Sequence, residues 1–109
     1  MSIDSNLGTL HLLTGQSALL APRALLLTVG EHDTIILMQD AVWLALASSP
    51  DAFVGLRVAN APRILVLASD LEVRGLAGRA LYPGIERIDD DAWVAASESH
   101  PRCITWGAG

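Results

Sequence analysis

Few residues of this sequence have the types and spacing that catalysis or ligand binding requires. The three histidines, His11, His32 and His100, lie far apart in the chain. The sequence contains no glycine-rich phosphate loop, no pair of Cys or His residues at the spacing of a metal site, and no nucleophile elbow. We therefore interpret the histidines as ordinary surface or strand-end residues, and we predict neither a metal site nor a cofactor.

Cys103 is the single cysteine and therefore the one candidate for a sulfur-carrying nucleophile. Such a residue must form its thiolate and be open to a partner thiol, usually beside a cation. His100 and Arg102 are close in sequence, yet successive side chains of a strand point to opposite faces, so Arg102 would point away from Cys103. Free cysteine is also among the residue types most often buried. We interpret Cys103 as an inert thiol and keep a catalytic role as the alternative.

Two polar residues, Gln39 and Asp40, end an apolar run at positions 34–38. Open α/β sheets bind their ligands outside the carboxyl ends of the strands. His11, Gln39 and Asp40 are therefore the candidates for strand-end or ligand-facing positions, where an anion or a nucleotide would bind. Asp40 is already explained as a helix cap, because its carboxylate can accept hydrogen bonds from the free N–H groups of a following helix. We favour the cap.

The apolar run at 34–38 has no polar face, which is typical of a strand covered by helices on both sides. The sequence predicts strands at 9–13, 34–38, 63–67, 85–88 and 103–106. It predicts helices at 22–30, 41–47, 52–59, 71–76 and 92–99, the last two starting with a capping box at Ser69 and Glu72 and with the acidic residues 89–91. This alternation predicts a three-layer α/β/α fold with a five-stranded, mostly parallel sheet. We expect a single domain at residues 9–109 after a flexible lead-in at 1–8.

The composition indicates protein partners. Apolar residues make up 51% of the 109 residues and charged residues 17%, and this apolar surplus predicts that another subunit covers part of the surface. No apolar stretch reaches the roughly 18 residues of a membrane span, and the N-terminus lacks the basic region of a signal peptide. A net charge of −5 argues against direct binding to nucleic acid. One cysteine, which cannot form an internal disulfide, agrees with a cytoplasmic location.

The partner interface is expected where bulky residues have little room in the core. Tryptophan is enriched at buried subunit contacts, and Trp43 lies on a short predicted helix that has few places to bury an indole. We predict partner contacts at Trp43, Leu44, Arg74, Gly75 and Trp106.

Several segments of the sequence follow one known family in order. They are Thr9–Leu12, Leu37–Val42, Ala61–Pro62, Asp70–Leu76 and the tail from Ile88 through His100 and Pro101 to Trp106. The most specific are the Asp-Leu-x-x-Arg-Gly-Leu motif at 70–76 and the Gln-Asp pair after strand two. By these segments the chain resembles the DsrH/TusB family of sulfur-relay subunits over nearly everything after residue 8. The resemblance implies a five-stranded sheet flanked by helices, with strand two near its middle.

The resemblance also implies a hetero-oligomer with DsrE/TusD-type and DsrF/TusC-type subunits, commonly a dimer of trimers. Such an assembly passes persulfide sulfur to small sulfur-carrier proteins, for tRNA wobble-uridine 2-thiolation or for dissimilatory sulfur oxidation. Its principal sulfur-accepting cysteine belongs to the DsrE/TusD-type subunit. Some sulfur-oxidiser members carry a cysteine in their first helix, but residues 21–29 contain none and Cys103 matches no family cysteine. We therefore expect a non-catalytic structural subunit; the alternatives are a small sulfurtransferase that uses Cys103 and an anion- or nucleotide-binding module.

Overall fold

The structure, a computed structural model, describes residues 8–14, 30, 32–48 and 63–106. These residues form β1 (Thr9–Leu13), β2 (Thr34–Leu37), a 3-10 helix (Gln39–Ala45), β3 (Arg63–Leu67), α1 (Ala68–Val73), β4 (Ile85–Ile88), α2 (Asp90–Ser99) and β5 (Arg102–Trp106). All the predicted strands are present, and each begins and ends within one residue of its predicted limits. The helices predicted at 22–30 and 52–59 lie outside the described residues, apart from Gly30.

The strands form one sheet in the order β4-β3-β2-β1-β5, and every neighbouring pair is parallel. Strand β2 is therefore central, and all its residues are buried. A parallel strand covered on both faces needs no polar alternation, which is why its apolar run identified it in the sequence. Strand β4, which carries charges, lies at an edge. The predicted α/β fold with a five-stranded parallel sheet is confirmed.

Helices pack against both faces of the sheet, so the described part of the domain has three layers. One face packs against the 3-10 helix and α1 in a core of Leu13, Ile35, Leu37, Ala41, Val42, Leu44, Ala45, Leu46, Ile64, Val66, Leu71, Leu76 and Ile85. The other face packs against α2 in a smaller core of Leu10, Leu12, Ile36 and Leu65, with Met38, Ile88, Trp93 and Ala96 packed around it. Fully burying a Leu or Ile side chain contributes roughly 1.5–3 kcal/mol, so the first core is the larger source of stability among the described residues.

The segment after β2 differs from the prediction. It is a 3-10 helix, not the α-helix expected at 41–47. The helix begins at Gln39 with Met38 as its N-cap residue, and the Met38 side chain makes no capping hydrogen bond. Asp40 therefore lies inside the first turn instead of ahead of it, and its carboxylate contacts Arg74. The prediction that Asp40 caps this helix is wrong.

Helix α1 begins at Ala68, earlier than the predicted start at residue 71. The residue before it, Leu67, makes no side-chain cap. The capping box predicted at Ser69 and Glu72 is therefore wrong, because Ser69 lies within the first turn. The Ser69 hydroxyl instead donates to Asp90 Oδ1 over 2.9 Å and so connects α1 to the start of α2.

Helix α1 ends at Val73, three residues before its predicted end, and the glycine that follows terminates it. Gly75 has a φ of 72°, in the left-handed region that glycine adopts without steric cost. Its N–H donates to the Glu72 carbonyl over 3.0 Å, and the Leu76 N–H donates to the Leu71 carbonyl over 2.8 Å. This is the Schellman arrangement, which satisfies the last carbonyls of the helix and places Leu76 in the core beside Leu71.

Helix α2 begins as its acidic sequence predicted. Asp89 is the N-cap residue, and its Oδ1 accepts a hydrogen bond of 2.8 Å from the Ala92 N–H. Asp90 and Asp91 lie in the first turn, where the helix dipole stabilises negative charge. Of the helices that the structure describes, none has both the length and the apolar character needed to cross a membrane.

Candidate functional site

The residues that follow β2 and β3 meet at the carboxyl edge of the sheet. The backbone N–H of Gln39 donates to Asp70 Oδ2 over 2.6 Å. Gln39 has a φ of 52°, a left-handed conformation that residues other than glycine rarely adopt. The hydrogen bond to Asp70 helps to hold this conformation. It leaves Gln39 exposed at the edge where open α/β sheets bind ligands.

Arg74 connects the 3-10 helix to α1 at this edge. Its Nε and Nη2 each lie 3.0 Å from Asp40 Oδ1. Its Nη1 donates to the Asp70 carbonyl oxygen over 3.1 Å and lies 3.7 Å from Asp70 Oδ1. These are charge-assisted hydrogen bonds, which are stronger than neutral ones. We refer to Gln39, Asp40, Asp70 and Arg74 as the carboxyl-edge cluster.

The cation of the carboxyl-edge cluster is occupied by contacts within the chain. This cation, Arg74, is already bound by Asp40 and Asp70, so it is not available to a phosphate group. None of the cluster's side chains is a thiol or a hydroxyl. In the described part of the chain, no group of three or more His, Cys, Asp or Glu side chains could hold a metal ion. The cluster is suited to holding two elements together and to presenting acidic oxygens to a partner.

A second polar cluster is buried beneath the sheet surface. His11 is 0% exposed, and its Nε2 lies 2.8 Å from Asp33 Oδ2. The indole Nε1 of Trp106 donates to His11 Nδ1 over 3.0 Å. An indole N–H can only donate, so Nδ1 is the acceptor and the ring proton is on Nε2, which donates to Asp33. We refer to His11, Asp33 and Trp106 as the buried triad.

The strand register brings the buried triad together. Asp33 directly precedes β2, whose pairing with β1 places it beside Thr9, on the face that also carries His11. Across the other neighbour of β1, Ile104 pairs with His11, and Trp106 lies two residues further along the same face. His11 is separated from Asp33 by 22 residues and from Trp106 by 95, so no local sequence pattern connects them.

Asp33 is the acceptor on which the buried triad depends. The Thr9 N–H donates to its Oδ1 over 2.8 Å, and the Gly30 N–H donates to its Oδ2 over 3.0 Å. Burial by itself would raise the pKa of the Asp33 carboxyl. The hydrogen bonds from Gly30, His11 and Thr9 outweigh that effect and hold its pKa below the ordinary value. Three donors therefore stabilise the ionised carboxylate.

Gly8 packs directly against Asp33. A Cβ atom at Gly8 would overlap Asp33 Oδ1 and would lie 2.8 Å from the Asp33 backbone nitrogen. The Gly8 N–H also donates to the His32 carbonyl over 3.2 Å. Gly8, the last residue of the predicted lead-in, thus packs closely against the domain. Residues 1–7 lie outside the described residues.

The geometry corrects the prediction that His11 is a strand-end or ligand-facing residue. His11 is the third of the five residues of β1, and none of its surface is exposed to solvent. Gln39 and Asp40 do lie at the strand ends, as predicted. The available signal was the single polar residue within the apolar run at 10–13, because a polar side chain in a buried strand needs a buried partner.

Cys103 is exposed, on an edge strand. It pairs in register with Leu10 near the start of β1, and Arg102 pairs with Thr9. The side chains of Arg102 and Cys103 therefore point to opposite faces, as predicted. Burial, one argument for an inert thiol, does not apply to Cys103, because β5 has a strand neighbour on only one side and residues 102–105 are all exposed.

The residues predicted to contact a partner fall into different environments. The exposed ones are Trp43, at 46%, and Gly75. Arg74 is occupied in the carboxyl-edge cluster, and Trp106 is partly buried with its indole N–H bonded to His11. Leu44 is 3% exposed and belongs to the larger core, so its side chain cannot contact a partner in this conformation. Successive residues of a 3-10 helix point in directions about 120° apart, so Trp43 and Leu44 face different sides.

A cavity of about 350 Å³ lies between α2 and the sheet. It is lined by Thr34, Arg63, Leu65, Ile88, Ala92, Ala95, Ala96, Ser99 and His100. His100 Nδ1 lies 2.7 Å from the Ala96 carbonyl oxygen, and His100 Nε2 lies 3.3 Å from Thr34 Oγ1. The polar groups of His100 and Thr34 are thus already used within the chain, and the remaining lining is apolar except for Arg63 and Ser99.

Comparison with known proteins identifies a family and a fold. The family model described as "DsrH like protein" matches residues 17–103. Among solved structures, the crystal structure of the ychN protein from E. coli matches with a TM-score of 0.70 and 16% identity, over 92% of this chain and 99% of that chain. At this identity the match shows the fold alone, and no curated protein matches. Because the family match covers most of the sequence, the chain belongs to the DsrH-like family, a family of sulfur-relay components.

Proposed function

We propose that this chain is a non-catalytic structural subunit of a hetero-oligomeric sulfur-relay complex. Its partners are a DsrE/TusD-type subunit and a DsrF/TusC-type subunit, and the sulfur-accepting cysteine is on the DsrE/TusD-type subunit. The complex delivers persulfide sulfur, through small carrier proteins, to tRNA wobble-uridine 2-thiolation or to dissimilatory sulfur oxidation. Family membership supports the relay, and the position of the single thiol supports the non-catalytic role.

The position of Cys103 is the observation that carries the proposal. An open α/β sheet places its ligand-binding and reacting groups at the carboxyl ends of its strands. At that edge this chain has the carboxyl-edge cluster, in which Asp40 and Arg74 are joined by an ion pair. Cys103 is instead beside Leu10, near the opposite ends of β1 and β5. A subunit that has this fold without a thiol at its carboxyl edge is suited to assembly and not to sulfur transfer.

Exposed apolar side chains support the role in assembly. Trp43, Val73 and Ile104 are 46%, 80% and 38% exposed. Burial of apolar surface contributes about 25 cal/mol per Å², so a partner that covers such side chains gains stability. Co-expression with the sister subunits should give a complex of defined size by light scattering, and the chain expressed alone should self-associate or aggregate. A monodisperse monomer that does not bind the sister subunits would contradict the proposal.

The catalytic part of the proposal is tested with the reconstituted complex. A complex that contains the Cys103→Ser chain should deliver sulfur from a persulfide donor to the carrier protein at the wild-type rate. The matched control is the Cys→Ser change at the accepting cysteine of the DsrE/TusD-type subunit, which should stop delivery. Delivery that stops in the Cys103→Ser complex would overturn the non-catalytic role.

The exposure of Cys103 favours a second candidate, a sulfurtransferase that uses this thiol. In that reaction the Cys103 thiolate attacks the outer sulfur of a donor persulfide, and the donor cysteine leaves as its thiolate, with no net oxidation or reduction. The isolated chain would then gain the mass of one sulfur atom on incubation with the donor, and the Cys103→Ser variant would gain none. No gain by the wild-type chain would remove this candidate.

The proposal covers two destinations for the sulfur. The neighbouring genes distinguish the two destinations. Sulfite reductase genes beside this gene favour sulfur oxidation, and genes for the sister subunits without sulfite reductase genes favour tRNA thiolation. The net charge of −5 does not suit a subunit that contacts tRNA itself, so any contact with the tRNA pathway is expected through the carrier proteins.

A further inference from the structure

The 3-10 helix places one acidic and one aromatic side chain on the same exposed side. A 3-10 helix has three residues per turn, so side chains at positions i and i+3 lie one above the other. Asp40 and Trp43 have this spacing, and both are nearly half exposed, at 47% and 46%. The residues between and after them that face inward, Ala41, Val42, Leu44 and Ala45, are all buried.

Arg74 holds this side of the helix in place. Its two contacts of 3.0 Å with Asp40 Oδ1 fix the start of the 3-10 helix against α1. Its neighbour in sequence, Val73, is 80% exposed, the most exposed of the large apolar side chains in the described part of the chain. The contacts of Arg74 thus join the element that carries Trp43 to α1.

The charge of this surface is negative. Asp40 and Asp70 contribute two carboxylates, and Arg74, which contacts both, contributes one guanidinium. Asp40 binds Arg74 through Oδ1, and Oδ2 accepts no hydrogen bond from the residues that the structure describes. A basic side chain of a partner can therefore approach Oδ2 without displacing Arg74.

We propose that Trp43, Asp40 and Val73 form a docking surface for a sister subunit that presents a lysine or arginine beside an apolar pocket. The pocket receives the Trp43 ring, and the basic side chain binds Asp40 Oδ2. We refer to these three residues as the docking surface. This inference rests on the proposed function, because it assigns one contact within the hetero-oligomer.

Charge complementarity selects a sister subunit over a second copy of this chain. In a symmetric dimer through the docking surface, both copies would contribute the same patch. The carboxylates of Asp40 and Asp70 in one copy would then face the same carboxylates in the other. Like charges brought together at an interface cost binding energy, whereas a basic partner gains it. Trp and Arg are also the residue types that most often dominate interface energies, with a handful of contacts carrying most of the binding.

The test is binding of the purified DsrE-type and DsrF-type sister pair to variants of the full chain. Trp43→Ala should weaken binding by about 30-fold, the effect of removing a dominant interface residue. Asp40→Asn, which keeps the shape of the side chain, should weaken binding several-fold and make it less sensitive to salt. The matched control is Val94→Ala, because Val94 on α2 is as exposed as Trp43 but lies on the other side of the sheet, and this variant should bind as the wild type does.

The outcomes separate this inference from the proposed function. If the wild-type chain does not bind the sister pair, the proposed function fails. If the wild type binds and either Trp43→Ala or Asp40→Asn binds equally well, the docking surface is wrong and the subunit role stands. Weakening by Val94→Ala as large as that by Trp43→Ala would also overturn the docking surface. Urea unfolding of each variant confirms that it is folded, and Asp40→Asn decides the question if Trp43→Ala is not.

Discussion

The buried triad and the carboxyl-edge cluster each join a carboxylate to a nitrogen-containing side chain, but in different surroundings. In the buried triad, His11 is 0% and Asp33 8% exposed. In the carboxyl-edge cluster, the side chains of Arg74 and Asp40 are 23% and 47% exposed. Water can replace a lost partner at the surface and cannot do so in the interior, so the two clusters should respond very differently to the loss of one member. The first is expected to hold the fold together, and the second to remain available for contacts.

The largest effect on stability is expected from the loss of the Asp33 carboxylate. Asp33→Ala leaves three donors, the N–H groups of Thr9 and Gly30 and the ring of His11, without their acceptor. We expect the free energy of unfolding to fall by about 3 kcal/mol, because buried polar groups lose their partners. Urea denaturation followed by circular dichroism measures the loss. A loss below about 1 kcal/mol would mean that the triad is hydrated or rearranges easily.

A second change tests the packing around the same carboxylate. Gly8→Ala would place a methyl group against Asp33 Oδ1. We expect a loss of about 1–3 kcal/mol in the free energy of unfolding, which is typical of overpacking. The matched control is Gly78→Ala, because no atom lies within 4 Å of a Cβ at Gly78, and this variant should stay within about 0.5 kcal/mol of the wild type. Equal losses for the two variants would contradict the close packing at Gly8.

The contribution of Asp33 to the free energy of unfolding is expected to depend on pH. The pKa of Asp33 is lowered from 3.8 in the folded protein, so the folded state favours the ionised carboxylate. Its contribution is fully present above the unfolded pKa and is lost as the pH falls through the folded pKa, below 3.8. The wild type should therefore lose more stability between pH 5 and pH 3 than Asp33→Asn, which cannot titrate at this position. Unfolding curves over that range, with the same acid loss in both proteins, would exclude this role for Asp33.

The smallest expected effect is at the carboxyl-edge cluster. Arg74→Ala removes the contacts with Asp40 and Asp70, but these carboxylates remain in contact with water. We expect the free energy of unfolding to fall by about 1 kcal/mol or less, with a smaller loss at high salt. A loss as large as that of Asp33→Ala would show that the two clusters do not differ in the way proposed.

Regular structure was largely predictable from this sequence. Apolar runs located the inner strands, because a parallel strand that is buried on both faces leaves a continuous apolar signal. The acidic start of α2 and the glycine end of α1 were also predictable from local hydrogen-bonding needs. The 3-10 helix was not, because α and 3-10 helices start with similar residues.

The polar clusters were less predictable than the elements that carry them. Arg74 and the Gln39–Asp40 pair were identified, but the contact of Arg74 with Asp40 depends on where the 3-10 helix and α1 begin. His11, Asp33 and Trp106 come from three strand regions, and only the strand order and register bring them together. The exposure of Cys103 likewise follows from the position of β5 at the edge of the sheet, which composition and spacing do not reveal.

The central claim, that this chain assembles the relay while another subunit carries the sulfur, is tested most directly by intact mass measurement of the reconstituted complex. After incubation with a persulfide donor, the mass of one sulfur atom should be added to the DsrE/TusD-type subunit and not to this chain. Added sulfur on this chain that is absent from the Cys103→Ser variant would contradict the claim.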